Sequence, residues 1–165
     1  MDLMNDDRAT QFDPTRAARL HALDMALATR TSLSVLISGA PDLALPMAIK
    51  IAAGADEAPS GDVLMVDGAA DGELGSTLIG AAARDLNRFR AVVVHSVDSL
   101  DAAQQSALMS LVADAARPRD RGCRIVATTS VPLFERVLEG SFDSRLFYCL
   151  NKIHIKALAP QTGDC

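Results

Sequence analysis

The sequence predicts a single α/β domain whose five-stranded, mostly parallel sheet carries helices on both faces. Three observations lead to this fold class. Short runs rich in β-branched residues alternate with Ala- and Leu-rich stretches of helical length. The run Val92-Val93-Val94 is apolar on both strand faces, which is typical of a sheet that is buried on both sides. A chain of 165 residues, 49% of them hydrophobic, is also long enough for about one domain with its own core.

The elements follow one another along the whole chain. Strands are predicted at Leu33–Ser38, Asp62–Asp67, Arg90–His95, Arg124–Thr129 and Lys152–Ala157. Helices are predicted at Thr15–Thr29, Leu45–Ala53, Leu74–Asn87 and Asp101–Ala116, with a pair within Leu133–Leu150. Five of the seven prolines lie at junctions between these predicted elements, namely Pro41, Pro46, Pro59, Pro118 and Pro132. We expect residues 1–14 to be a mobile arm, residues 15–158 to be the domain and residues 159–165 to be a tail.

Charge and cysteine usage limit the classes of partner. The formal net charge is −5 and no basic stripe is visible, so direct binding to nucleic acid is not expected. The three cysteines, Cys123, Cys149 and Cys165, are odd in number and far apart, which favours a reduced, cytoplasmic chain over a disulfide framework or a zinc site. No apolar run reaches the ~18 residues of a membrane span, and the acidic N-terminus does not resemble a signal peptide.

The loops that follow the strands are the place to search for chemistry. The first of them contains Gly39 but has no Lys for phosphate, and Asp42 adds a negative charge there. His95 and Ser96 end the third strand, where a metal-assisted hydrolase would need carboxylates. Cys149 lies in an apolar helix end, where burial makes a thiol a poor nucleophile. We therefore predict no catalytic residue, no cofactor and no metal ion.

A resemblance to a known family begins near the C-terminus. Residues 139–155, EGSFDSRLFYCLNKIHI, resemble the E-G-x-F-R-x-D-L-Y-Y-R-L-N-V-x-x-I stretch in the AAA+ domain of sigma-54-dependent transcription activators of the NtrC type. Residues 124–130 resemble the sensor I strand, residues 95–100 the Walker B strand, and residues 35–39 the start of the Walker A loop. The resemblance covers roughly residues 16–158. It implies an AAA+ P-loop NTPase-like core without the helical lid.

The chain departs from the family at the positions that bind and hydrolyse nucleotide. Leu45 replaces the Walker A Lys, Asp42 and Ala44 replace two glycines, and other residue types occupy the Walker B pair, the sensor I Asn and both arginine fingers. The degenerate positions are Gly39, Asp42, Ala44 and Leu45 (Walker A), His95 and Ser96 (Walker B), Ser130 (sensor I), and Asp143 and Cys149 (arginine fingers). The resemblance therefore implies a catalytically inactive domain.

Other features of the family are also expected to be missing. The stretch between Val66 and Val92 is too short for the family's long sigma-gripping loop, and no G-A-F-T-G-A is present. Because the sequence ends soon after Ala159, we expect neither the lid nor the DNA-binding helix-turn-helix, and hence no direct binding of sigma-54 or DNA.

Three functions remain open. The first is a protein-binding regulatory or scaffolding module, with a transcription or signalling component as partner. The second is a nucleotide-binding switch without hydrolysis. The third is an accessory subunit of DNA replication, because residues 91–100 also resemble a strand of clamp-loader subunits. We expect a homodimer or heteromer, with an exposed apolar patch formed by Ala- and Leu-rich helices near Met4, Met25 and Met47.

Overall fold

The computed structural model describes residues 14–54, 62–70, 72–117 and 122–159. The predicted arm, apart from Pro14, and the predicted tail, apart from Ala159, lie outside the described residues. The strands are β1 (Val35–Ser38), β2 (Val63–Asp67), β3 (Ala91–His95), β4 (Arg124–Thr129) and β5 (Ile153–Lys156). The helices are α1 (Pro14–Arg30), α2 (Pro41–Ala53), α3 (Gly72–Arg84), α4 (Ala102–Ala115), α5 (Leu133–Leu138) and α6 (Ser144–Leu150).

The five strands form one sheet with the order β2-β3-β4-β1-β5. Each strand lies within a predicted run, and all four strand pairs are parallel, so the predicted fold class is confirmed and the sheet is more regular than the predicted "mostly parallel" one. β1 lies between β4 and β5, and Val35 is in register with Val126 and with Ile153. This order brings the carboxyl ends of β1, β3 and β4 to one edge of the sheet.

Side chains of two kinds cover the two faces of the sheet. On one face, α1 and α2 bury small aliphatic residues such as Ala28, Ala48 and Ile51 against the strands. On the other face, α3 to α6 contribute larger side chains, including Leu108 and Leu146. Because successive strand residues point to opposite faces, a run of apolar residues in a strand contributes to both clusters. This is the pattern that the valines of β3 predicted.

Helix α2 begins four residues earlier than predicted, and this changes the position of two prolines. Pro41 is in the first turn of α2, where a missing N–H does no harm. Pro46 is inside the helix and not at a joint, so the prediction for this proline was wrong. The helix extends through Pro46 because the apolar face formed by Ala44, Ala48 and Ile51 packs on the sheet. Tertiary packing thus outweighs the local preference of proline.

Arg124, at the start of β4, joins the C-terminal ends of α1 and α2. Its guanidinium donates hydrogen bonds to the carbonyl oxygens of Ile51 at 2.6 Å, of Thr29 at 3.0 Å and of Thr31. Carbonyl groups at helix C-termini carry partial negative charge, which suits a cation. Burial, and then the neighbouring charge of Arg90, lowers the pKa of Arg124 below its ordinary value. This side chain therefore holds both helices to the same point of the sheet.

No helix among the described residues combines the length and the hydrophobicity that crossing a membrane requires.

Candidate functional site

The connection between β1 and α2 consists of two residues, Gly39 and Ala40. The Gly39 N–H donates to the Thr129 carbonyl oxygen at 3.0 Å. The N–H groups of Leu43 and Ala44 both donate to the Ala40 carbonyl oxygen, at 3.0 and 2.9 Å. Pro41 has no N–H. A phosphate-binding loop needs amides that converge on the anion, and these three amides are instead used within the fold.

Gly39 has a structural reason to be glycine that does not involve phosphate. Its φ is +152°, and a Cβ at this position would lie 2.8 Å from both the Cβ and the carbonyl oxygen of Ala157. The close approach of β1 to the chain after β5 therefore excludes a side chain. The one Walker A glycine that the chain retains is explained by packing.

The other Walker A positions all lie in α2. Asp42 is exposed in the first turn, Ala44 is fully buried, and Leu45 is half-buried against the aliphatic cluster under α1 and α2. Pro46 follows Leu45, where the G-x-x-x-x-G-K-[ST] motif has a hydroxyl group for Mg²⁺. The first turn of α2 thus carries one negative charge, and its only lysine, Lys50, is in the last turn.

The end of β3 is fixed by a buried threonine on the next strand. His95 Nδ1 and Thr128 Oγ1 form a hydrogen bond of 2.8 Å, and the Ser96 N–H donates to the same hydroxyl oxygen at 3.2 Å. Thr128 is 1% exposed. Ser96 adopts a left-handed conformation with φ +52°, which is uncommon for a residue other than glycine. His95 and Ser96 are therefore held by the fold at the Walker B positions.

Ser130, at the sensor I position, is exposed just after β4. Its N–H donates to Asp98 Oδ1 at 3.3 Å. Next to it, Thr129 Oγ1 donates to the Val131 carbonyl oxygen at 3.0 Å. These contacts shape the turn into α5 and place Ser130, Gly39, His95 and Ser96 at the same edge of the sheet.

The two predicted arginine-finger positions lie at the start of α6 and within it. Asp143 is the N-cap of α6, because its Oδ1 accepts hydrogen bonds from the N–H groups of Arg145 at 2.7 Å and Leu146 at 3.2 Å. The hydrogen bond from the Arg145 side chain, followed by that from the Leu146 amide, lowers the pKa of Asp143. Cys149 is half-buried and packs against the larger core cluster.

A buried glutamine links the α6 cap to the chain before α4. The Gln105 Nε2 donates to the carbonyl oxygens of Leu100 at 2.9 Å and Ser141 at 3.1 Å. Its Oε1 accepts from the Asp143 N–H at 2.8 Å. All these partners are backbone groups, so Gln105 fixes two loops to each other.

A cavity of about 560 Å³ opens at the carboxyl edge, between β1, β5 and the pair α5–α6. Its lining is largely apolar and includes Leu133, Phe134 and Phe147. Ser38 Oγ and His154 Nε2 form a hydrogen bond of 2.8 Å in this lining. Partial burial of the imidazole, and then the charge of Lys156, lowers the pKa of His154.

Sequence reasoning placed Ser38 on the first predicted strand and both His154 and Lys156 on the last one. It did not predict that these residues lie close together. The available signal was the alternation of β5, in which Ile153 and Ile155 are buried while His154 and Lys156 are exposed. In the parallel register, His154 is paired with Leu36 and Lys156 with Ser38. Their side chains therefore share one face of the sheet.

No group of three His, Cys, Asp or Glu side chains in the part of the chain that the structure describes is arranged to hold a metal ion. The lining of the largely apolar cavity offers hydroxyl groups, the imidazole of His154 and the amine of Lys156. Such a set of groups can bind an apolar or weakly anionic ligand. It brings no carboxylate pair to the Walker B positions, which His95 and Ser96 occupy.

Comparison with known proteins supports the fold. No protein-family model matches the chain, and no curated protein does. Among solved structures, NtrX from Brucella abortus in complex with ATP matches 86% of this chain with 18% identity and a TM-score of 0.67. NtrX in complex with ADP matches 90% of it with 17% identity and a TM-score of 0.68. These matches cover 36% and 37% of the NtrX chains, so this chain spans little more than a third of their length.

A second kind of match covers a whole domain. The P-loop NTPase domain of the sigma-54 transport activator from E. coli matches 91% of this chain and 99% of its own, with 19% identity and a TM-score of 0.59. At such identities the likeness shows the fold alone. The chain has the fold of the AAA+ P-loop NTPase core, as the resemblance in its sequence predicted.

Proposed function

We propose that this chain is an AAA+-type domain that does not hydrolyse ATP and that acts by binding protein, as a regulatory or scaffolding module in transcriptional regulation. The observation that carries the proposal is the short β1–α2 connection together with the first turn of α2, where the amides of Gly39, Leu43 and Ala44 are used within the fold. A P-loop needs these amides for phosphate. The likeness to the sigma-54 activator domain supports the choice of transcription as the process.

Electrostatics supports the loss of hydrolysis. Phosphoryl transfer depends on cations and preorganised donors that stabilise charge on the transferring group. Here Asp42 brings a negative charge to the first turn of α2, and Leu45 cannot compensate for it. His95 and Ser96 stand where carboxylates would hold Mg²⁺, and neither side chain supplies the carboxylate oxygens that this ion prefers.

Calorimetry with Mg-ATP tests this part of the proposal. We expect no heat of binding that corresponds to a dissociation constant below about a millimolar, and no phosphate release above the blank. The variant Asp42→Asn removes the negative charge from the first turn of α2. It is the control that tests whether repulsion between Asp42 and the phosphates accounts for the absence of binding. Tight binding or hydrolysis by the unmodified chain would overturn the proposal.

A second candidate function is a nucleotide-binding switch without hydrolysis. The observation that favours it is the cavity of about 560 Å³ beside Gly39, which combines aromatic lining with Lys156. Under this alternative, Lys156→Ala abolishes ATP or ADP binding, whereas Lys152→Ala, a change in another exposed lysine just before β5, has no effect. If neither variant changes a measurable affinity, this candidate is excluded.

Partner binding needs its own experiment. We expect a tagged full-length chain to recover one protein from its source cell in a fixed ratio that survives moderate salt. We also expect no shift of duplex DNA and no co-elution with purified sigma-54, in keeping with the net charge of −5. A mass of 17.4 kDa in light scattering, together with no recovered partner, would contradict the protein-binding role.

A further inference from the structure

Helix α1 presents two apolar stripes to two different surroundings. The inward stripe contains Met25 and Ala28, which pack against the aliphatic cluster on the sheet. The outward stripe contains Leu20, Leu23 and Leu27, whose side chains are 53%, 65% and 50% exposed. At 3.6 residues per turn, the two stripes lie about a third of a turn apart on the helix. Three exposed leucines on one face are unusual for a helix that has already buried its other face.

The sequence predicted an apolar patch on Ala- and Leu-rich helices near Met25 and Met47. The two methionines themselves are partly buried and pack against the core, while leucines on the same helix as Met25 are exposed. Met4 lies outside the described residues. The large exposed apolar side chains of α1 are its three leucines.

Two arginines extend the outward stripe at its ends. Arg16, Leu20, Leu23, Leu27 and Arg30 follow one another at spacings of 4, 3, 4 and 3 residues, and all five are exposed. This is the spacing at which one helix packs along another in a coiled coil. We call these five residues the leucine seam.

We propose that the leucine seam is the docking surface for an acidic amphipathic helix of another protein. The inference rests on the proposed protein-binding function and specifies where and what the chain binds. The chemistry that fits is a helix with three apolar residues at the same spacing and a carboxylate at each end. Each carboxylate then pairs with Arg16 or Arg30, and the leucines lose their contact with water.

Charge argues against a second copy of this chain as the occupant. If two seams pair in the antiparallel direction, Arg16 of one helix lies opposite Arg30 of the other at both ends. In the parallel direction, each arginine lies opposite its own copy. Like charges across a helix pair are destabilising and select against the partner. Arg19 is a further exposed cation on α1, against a single acidic residue, Asp24.

The experiment uses two synthetic helical peptides that differ only in charge. Both peptides carry three leucines at the spacing of Leu20, Leu23 and Leu27. One peptide has Glu and the other has Lys at the two positions that correspond to Arg16 and Arg30. Fluorescence anisotropy measures the binding of each peptide to the 165-residue chain. We expect the Glu peptide to bind at least about tenfold more tightly than the Lys peptide. Leu23→Ala weakens that binding about tenfold, while Leu138→Ala, a change at a leucine that is 73% exposed on α5, leaves it unchanged.

Reversing the charge of the two arginines is the second part of the experiment. The double variant Arg16→Glu/Arg30→Glu exchanges the preference, so that the Lys peptide becomes the tighter ligand. Both positions are exposed, and circular dichroism confirms that each variant is folded. Equal binding of the two peptides, no binding of either, or loss of binding in Leu138→Ala overturns the proposal.

Other occupants give distinct results that also overturn it. A dimer in light scattering that Leu23→Ala dissociates indicates a second copy. Binding to phosphatidylglycerol vesicles that Leu23→Ala abolishes indicates a membrane surface. Peptide binding that appears only after residues 1–13 are removed indicates that the chain's own N-terminal segment occupies the seam. A partner that is recovered equally well by Leu23→Ala refutes the seam but leaves the protein-binding function intact, whereas the absence of any partner refutes that function.

Discussion

Replacing Arg124 by methionine should destabilise the domain by about 3 kcal/mol. The guanidinium donates to three carbonyl oxygens at the ends of α1 and α2, and hydrogen bonds from charged groups contribute about 1.5–3 kcal/mol each. Burial of the cation costs several kcal/mol, which offsets a large part of this sum. Methionine keeps the apolar stem but leaves the carbonyl groups without this donor. The net loss corresponds to a fall in Tm of about 6–12 °C for a domain of this size.

Thermal and urea unfolding, followed by far-UV circular dichroism, measures this loss. Arg117→Met is the matched control, since Arg117 is 74% exposed and its 3.5 Å ion pair with Asp114 is a surface pair, for which we expect a change below about 0.5 kcal/mol. Arg124→Lys retains the charge but cannot span three acceptors, so we expect it to lie close to Arg124→Met. Stability of Arg124→Met within about 0.5 kcal/mol of the unmodified chain would refute this account of how α1 and α2 are held.

Three further predictions concern the carboxyl edge and α2. Pro46→Ala restores a helix N–H at an exposed position and should raise stability by about 1–3 kcal/mol, with a higher Tm as the measurement. Gly39→Ala should lower the free energy of unfolding by about 2–4 kcal/mol, because the new Cβ would lie 2.8 Å from Ala157. In Gly140→Ala the new Cβ has no atom within 4 Å, so this control should lower the free energy of unfolding by only about 1 kcal/mol, as measured by urea unfolding. The pKa of His154 in the folded chain lies below 6.5, so the contribution of this residue to stability is complete above about pH 6.5 and decreases as the pH falls towards the folded pKa. His154→Gln should therefore flatten the dependence of the free energy of unfolding on pH in that window. An unchanged slope would contradict this prediction.

The order and type of the elements could be predicted from the sequence because the strands are short, apolar and bounded by turn residues. Val92, Val93 and Val94 are all fully buried, as their position in a sheet covered on both faces requires. The start of α2 could not be predicted in the same way. Pro41 and Pro46 both suggest a break when only local preference is considered, and only the packing of Ala44 and Ala48 on the sheet makes the helix continue.

In the candidate site, too, some features could be predicted from the sequence and others could not. Leu45, His95 and Ser96 could be recognised as unusual at their positions from the sequence, because the family motif assigns a charge or carboxylate to each of them. The hydrogen bonds between Ser38 and His154, which are 116 residues apart, and between His95 and Thr128, which are 33 apart, depend on strand order and register. Neither is encoded in a local pattern, so neither could be predicted.

The way in which α1 is attached has a consequence for its dynamics. Near its C-terminal end, Ala28 is fully buried and Arg124 binds the Thr29 carbonyl oxygen, whereas most side chains from Thr15 to Asp24 are exposed. Regions with little buried apolar surface open locally at a lower free energy than the core. Amide hydrogen exchange should therefore become slower from the first turn of α1 to the last. The helix is anchored at one end, so its amino-terminal half can unfold and refold while the sheet remains intact.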